Sequence, residues 1–209
     1  MLFFMTMKQK IMTLLLLCLP LAMTAAKTED DARAVFEKAY DQIFKSDGCT
    51  FKYNVNLVGL YKTSGTIWYK GEKNKFHDAK VDSWSDGETM YMVYRKKKTV
   101  EIYNSKSDKA DKYKSKFKFT LDDFTYKMEP QGDKLLLTLK QKKGVKGTVK
   151  EAKALLDAKT LAPVSIRIKV LFFWANIKIS DFNTDKLPDS FFDFPKDRYK
   201  DYKMVDKRK

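Results

Sequence analysis

SDGETMYMVYRKKKTVEIYN, residues 85–104, decides how this chain folds. Asp86-Gly87 signals a turn, and Met90 to Tyr94 is apolar at every position. Arg95-Lys96-Lys97-Lys98 then interrupts before Val100, Ile102 and Tyr103 resume. Two short strands joined by a charged hairpin fit this pattern. Successive strand residues face opposite sides, so Met90, Met92 and Tyr94 share one face and Tyr91 and Val93 the other. A one-sided antiparallel strand alternates apolar with polar. This one does not, and both of its faces need cover.

Outward from this hairpin the period of two recurs. Phe51, Tyr53, Val55 and Leu57 alternate with Lys52, Asn54 and Asn56, which reads as a one-sided strand. Strand-like segments follow at 65–70, 75–81, 88–94, 99–104 and 124–129, then at 134–142, 146–156, 163–171 and 174–181. Turn signals separate many of them, including Gly71, Asp86-Gly87 and Gln131-Gly132-Asp133. Before the first strand the period is helical: Ala32, Val35, Phe36, Ala39, Tyr40, Ile43 and Phe44 recur on one face. Thr28 stands ready to cap that helix with Asp31 three residues on, and Gly48 closes the segment. The spacing predicts a helix over 29–46 followed by a long antiparallel meander. A curved sheet with the helix in its concavity would cover the second face of residues 90–94, or a ligand would.

The N-terminus sets the compartment. Residues 7–27, MKQKIMTLLLLCLPLAMTAAK, have the lysines, leucine run and small residues of a secretory signal peptide, with a cut after Ala26. Only nine apolar residues, Ile11 to Leu19, precede Pro20, against the ~20 that span a bilayer. Cys18 follows Leu17, which is not the small residue a lipid-modified cysteine requires. The expectation is a cleaved leader at 1–26 and one exported domain over 27–209. Of 42 basic and 27 acidic residues, the leader removes Lys8 and Lys10, leaving 40 − 27 = +13. The lysines are spread along the chain on alternate strand positions, where they solvate an outer face. Export removes nucleic acid as a partner, so anionic membrane surfaces or acidic proteins match the charge better. Cys49 is left as the one mature cysteine, a small packed residue without an intrachain disulfide.

No catalytic constellation stands out. His77 is the single histidine, so no metal-ligand spacing is available. Asp30-Asp31 and Asp122-Asp123 are adjacent carboxylates that diverge on a helix and oppose on a strand. No nucleophile elbow or phosphate-cradling glycine loop occurs. No enzyme activity and no cofactor are expected. The apolar inventory says more: fifteen phenylalanines, eleven tyrosines, three tryptophans and nine methionines. Flat rings and flexible thioethers make adaptable linings. Trp68, Phe76, Met90, Met92, Tyr94 and Phe117 are the candidates for an apolar groove, with Val35, Phe36, Tyr40 and Ile43 presented to it by the helix. The plainer alternative is that these side chains fill an ordinary core.

The order of short motifs resembles a known family. Gly65-x-Ile67-Trp68-x-Lys70 is followed by Lys75-Phe76, by Ser85-Asp86-Gly87-Glu88-Thr89 and by Val100-x-Ile102-Tyr103. Phe192-Asp193-Phe194-Pro195 and Val205-Asp206-Lys207-Arg208-Lys209 close the chain. This order, from about Asp31 to Lys209, is similar to the periplasmic outer-membrane lipoprotein carriers of the LolA type, as a diverged, Bacteroidetes-type member. The resemblance implies a mainly β fold with α, an unclosed antiparallel β-barrel (half-barrel) with an N-terminal helix and short lid elements in its concavity. It implies a monomeric periplasmic shuttle that takes lipoprotein acyl chains from an inner-membrane releasing transporter to an outer-membrane acceptor. It also implies that Phe76 faces the donor. The family's latch arginine after the tryptophan strand has no counterpart in Lys70-Gly71-Glu72, and residues 105–119 are rich in lysine and aspartate where the family has an apolar lid. A groove standing open without ligand is therefore expected. An envelope lipid or lipoprotein sensor with the same half-barrel is the alternative.

Overall fold

A computed structural model of the chain describes residues 28–57, 61–107, 120–170 and 173–208. The leader expected at 1–26, Phe117 and most of the expected lid lie outside the described residues. The first element is helix α1, Glu29–Phe44. Thr28 accepts from the Asp31 amide at 3.1 Å while the Asp31 carboxylate takes the Thr28 amide at 2.9 Å, a reciprocal capping box. Glu29, Asp30 and Asp31 place negative charge on the positive end of the helix dipole.

Twelve strands follow: β1 Cys49–Leu57, β2 Tyr61–Lys70, β3 Lys73–Asp78, β4 Val81–Ser85, β5 Thr89–Tyr94 and β6 Thr99–Asn104. After them come β7 Phe124–Gln131, β8 Lys134–Gln141, β9 Val149–Asp157, β10 Pro163–Val170, β11 Phe173–Asn183 and β12 Lys203–Asp206. They form a single sheet in the order β12-β6-β5-β4-β3-β2-β1-β11-β10-β9-β8-β7. Its outermost strands, β12 and β7, are not bonded to each other, so the barrel stays open. Two antiparallel meanders, β1–β6 and β7–β11, meet where β1 pairs with β11. Only β12 runs parallel to its neighbour, β6. Gly65 sits where the curl is tight: a Cβ there would lie 2.2 Å from the His77 carbonyl oxygen, so only glycine lets β3 approach.

Register shows which side chains share a face. On one side Val55, Ile177, Ile166, Ala154, Leu137 and Met128 form a paired row from β1 to β7. On the same side Phe51, Ile67, Phe76, Ser83, Met92 and Glu101 form a row from β1 to β6. This is the inner face, and α1 lies on it against β7, β2 and β1. Ala32 and Ala39 of the helix are buried with Phe124, Tyr126, Met128, Leu135, Leu137 and Leu139.

The face of β5 opposite Met90 and Met92 is not covered by α1. Residues 191–202 return over the outer side of β4–β6 and bury Trp84, Val93 and Val100 beneath Tyr199, Phe194 and Tyr202. Phe194 stacks flat on Tyr91, with centroids 4.2 Å apart and planes 3° from parallel. Two-sided apolarity in residues 90–94 thus has a physical cause: the outer side is core, sealed by the C-terminal segment. The expectation that the helix spans residues 29–46 is met to within two residues. Strands β4 and β12 were not read from the sequence.

Candidate ligand-binding cavity

Strand β9 puts Ala152, Ala154 and Leu156 on the inner face, where its neighbours β8 and β10 put Leu135, Leu137, Leu139, Ile166 and Ile168. Two alanines among large residues cannot fill the space under a helix. A void of about 210 Å³ results, walled by Phe36, Ala39, Tyr40, Ile43 and Phe44 of α1 above and by β8–β10 below. Its lining is apolar but for Lys153, and Leu139, Val149 and Ile168 form one end while Leu156 and Pro163 form the other. Apolar walls of this kind take apolar guests; an enclosed cavity of about 150 Å³ already accepts benzene.

Aromatic rings continue the surface beyond the cavity. Tyr126, Phe36, Tyr40, Phe44, Tyr69, Phe51 and Phe182 follow one another at centroid spacings between 4.4 and 6.3 Å. Burial pushes the Tyr126 phenol up to about 12.

A second apolar region lies on the inner face of β3–β6. Phe76, Met90, Met92 and Tyr103 line it, with Met90 and Tyr103 buried against each other. Its polar members are few, and Glu101 is the one with the most partners. Burial pushes the Glu101 carboxyl up, but Lys207 at 2.7 Å and the Tyr103 and Tyr94 hydroxyls outweigh this and hold it below the ordinary value. The Tyr94 phenol is raised to about 12 by burial and by Glu101. Ser83, fully buried beside Phe76 and Met92, has a hydroxyl with no hydrogen-bond partner among the described residues.

Of the residues read from the sequence, Phe36, Tyr40 and Ile43 wall the cavity. Val35 packs on the neighbouring core instead. Phe76, Met90, Met92 and Tyr94 share the inner face of the second region. Trp68 does not belong to either region. It pairs with Lys75 and Thr50 on the outer face, where its ring meets Phe191 edge-on at 5.7 Å. The cause is the strand period: Ile67 and Tyr69 take the inner side, so Trp68 between them cannot. The Lys75 ammonium lies 4.0 Å from the Phe191 centroid and 5.4 and 5.5 Å from those of Trp68 and Trp84, and burial lowers its pKa. Phe117 is outside the described residues. Ala39, Phe44, Ala152, Ala154, Ile166 and Ile168 were missed; the alanine pair opposite leucines was the available signal.

Among the described residues no group of three His, Cys, Asp or Glu could hold a metal ion, and no helix is long and apolar enough to cross a membrane. Comparison with known proteins finds no matching family model and no matching curated protein. Solved structures do match. An uncharacterized conserved protein from Thermus thermophilus superposes with a TM-score of 0.56 at 9% identity, covering 82% of this chain and 99% of that one. MucB gives 0.51 at 9% identity over 79% of this chain and 63% of its own. A LolA superfamily protein from Nitrosomonas europaea gives 0.41 at 11% identity over 78% of this chain and 97% of its own. What the chain shares with the first two is a fold: one open, curled antiparallel sheet holding a helix against its inner face.

Proposed function

We propose that the chain is a periplasmic carrier that takes lipoprotein acyl chains into the cavity under α1 and shuttles them from the inner to the outer membrane. The observation that carries this reading is the apolar pocket between Phe36, Tyr40 and Ile43 and the alanines of β9. At roughly 30 Å³ per small group, 210 Å³ holds on the order of seven methylenes, about half an ordinary acyl chain. At about 0.8 kcal/mol each, their burial contributes on the order of 5–6 kcal/mol. That is enough for capture and not so much that release is blocked. The rest of the chain lies along the aromatic row or the Met90–Met92 region. The reading needs no bond to be made or broken. The short motif order that resembles the LolA-type carriers supports it as well.

Ala152→Leu together with Ala154→Leu fills the void while leaving the surface unchanged. Mass spectrometry of the purified wild type should find co-purified acylated lipid or lipopeptide, and the filled variant should be folded and empty. A folded double variant carrying as much acyl ligand as the wild type would sink the assignment. A sensor built on the same half-barrel would bind the same ligands but fail to pass them to an outer-membrane acceptor in a transfer assay.

A further inference from the structure

The two edges of the sheet where its hairpins turn differ in charge. Links β3–β4, β5–β6 and β8–β9 leave one edge, where every charged residue in the described links is basic: Lys80, Arg95 through Lys98, and Lys142, Lys143 and Lys146. On the opposite edge, links β2–β3, β4–β5, β7–β8 and β9–β10 carry Glu72, Asp86, Glu88 and Asp133 with Lys159, and Lys106 and Lys134 pair there with Glu72 and Asp133. Carboxylates also lie near the basic edge: Asp78 accepts from the Lys80 and Val81 amides, Asp82 is buried and paired with Arg95 at 2.6 Å, Asp122 takes Arg33 at 2.6 Å, and Asp123 stands beside Lys142. From the same basic edge projects the start of β11, where Phe173 is 51% exposed. Beside it on the outer face the Trp174 ring is flanked by Arg167 at 4.8 Å, Lys153 at 5.8 Å and Lys169 at 6.0 Å.

We infer that this edge docks on an anionic lipid bilayer, with Phe173 and Trp174 entering the interface and the lysines of the β5–β6 and β8–β9 links lying on the headgroups. Three independent features converge on that one occupant. An exposed phenylalanine next to a tryptophan is the side-chain pair suited to the boundary between headgroups and acyl chains. Basic residues from links far apart in sequence share one edge, as contact with an extended charged plane requires. The opposite edge has acidic and basic residues side by side and no such basic cluster, so the plane orients the molecule. The docked edge also holds the end of the cavity formed by Leu139, Val149 and Ile168, where β8 and β9 run into their link.

Flotation with vesicles of phosphatidylglycerol and phosphatidylcholine, against phosphatidylcholine alone, tests this on the protein as purified from cells. Binding should require phosphatidylglycerol and weaken with salt. Phe173→Ser should lower partitioning roughly tenfold or more. Lys96→Gln, Lys97→Gln and Lys98→Gln should lower it by about fivefold per lysine. All four positions lie at strand ends or in links, and unchanged thermal unfolding confirms that the variants fold. Every variant keeps the same N-terminus, so differences report on the edge alone. The cavity-filled Ala152→Leu, Ala154→Leu variant should still bind, which separates docking from ligand carriage. Equal binding to neutral vesicles, or no effect of either set of changes, overturns the proposal. So does salt-sensitive capture of soluble polyglutamate without vesicle binding, which would assign the edge to an acidic protein instead.

Discussion

The two meanders of the sheet bury opposite sides. In β7–β10 the core is on the inner face under α1, and residues such as Lys127, Lys140 and Lys150 face solvent. In β4–β6 the larger core is on the outer face, under Phe194, Tyr199 and Tyr202, and the inner face holds methionines, Tyr103 and buried serine hydroxyls. A half-barrel needs its inner face open to hold anything. The second meander solves this with a helix that leaves a void, the first by moving its structural core outside. In the first meander the aromatic core thus lies on the outer side of the strands whose inner side carries Met90, Met92 and Tyr103.

The sharpest way to break this comparison is to cut each core. Trp84→Ala should cost about 3–5 kcal/mol and Leu137→Ala about 2–5 kcal/mol by chemical denaturation, although the side chains point to opposite faces. A loss below about 1 kcal/mol for Trp84→Ala would mean that the C-terminal segment is an ornament and the outer core is not one. Removal of the Phe194 ring in Phe194→Ala tests the same seal, and should expose Tyr91 to solvent quenchers while the α1 side is unchanged.

Alkaline titration compares the two inner regions. Tyr94 and Tyr103 in one and Tyr126 in the other have phenols raised from 10.0 to about 12, and the Cys49 thiol is raised from 9.0 to about 12, all chiefly by burial. Each group ionises first in the unfolded chain, so its contribution is whole below the unfolded value and is lost as pH rises through the folded one. Stability should therefore decline between about pH 9 and 12, and Cys49→Ala should delay the onset. Flat stability across that range would show that the inner face is wet. The smallest effect is expected at Ser83→Ala. Removing a buried hydroxyl that has no partner should leave stability unchanged or raise it by up to about 1 kcal/mol, whereas a loss would reveal a partner for it.

Much of this was legible in the residues, and the misses have causes. Helix α1 announced itself through its period and capping box, and strand β1 through clean alternation. Strand β4 was hidden because Asp82, Ser83 and Ser85 look like a loop; they are buried because Asp82 finds Arg95 and His77. Strand β12 is four residues long and exists only by adding to the edge of β6. Trp68 was drawn to the groove by its size, which carries no information about side; the register does. The cavity was the least legible feature, because an alanine in a strand reads the same whether a neighbour fills the space above it or not.

The seam between β1 and β11 has a kinetic meaning. Tyr53 pairs with Ile179, so the centre of the sheet joins residues 126 positions apart, 179 − 53, while nearly every other junction is a local hairpin. Closing so long a loop is slow compared with zipping adjacent strands. Until β11 has been made, β1 has no partner on that side and the two meanders are not joined. The meanders can nucleate early, but the assembled sheet must wait for the far end of the chain.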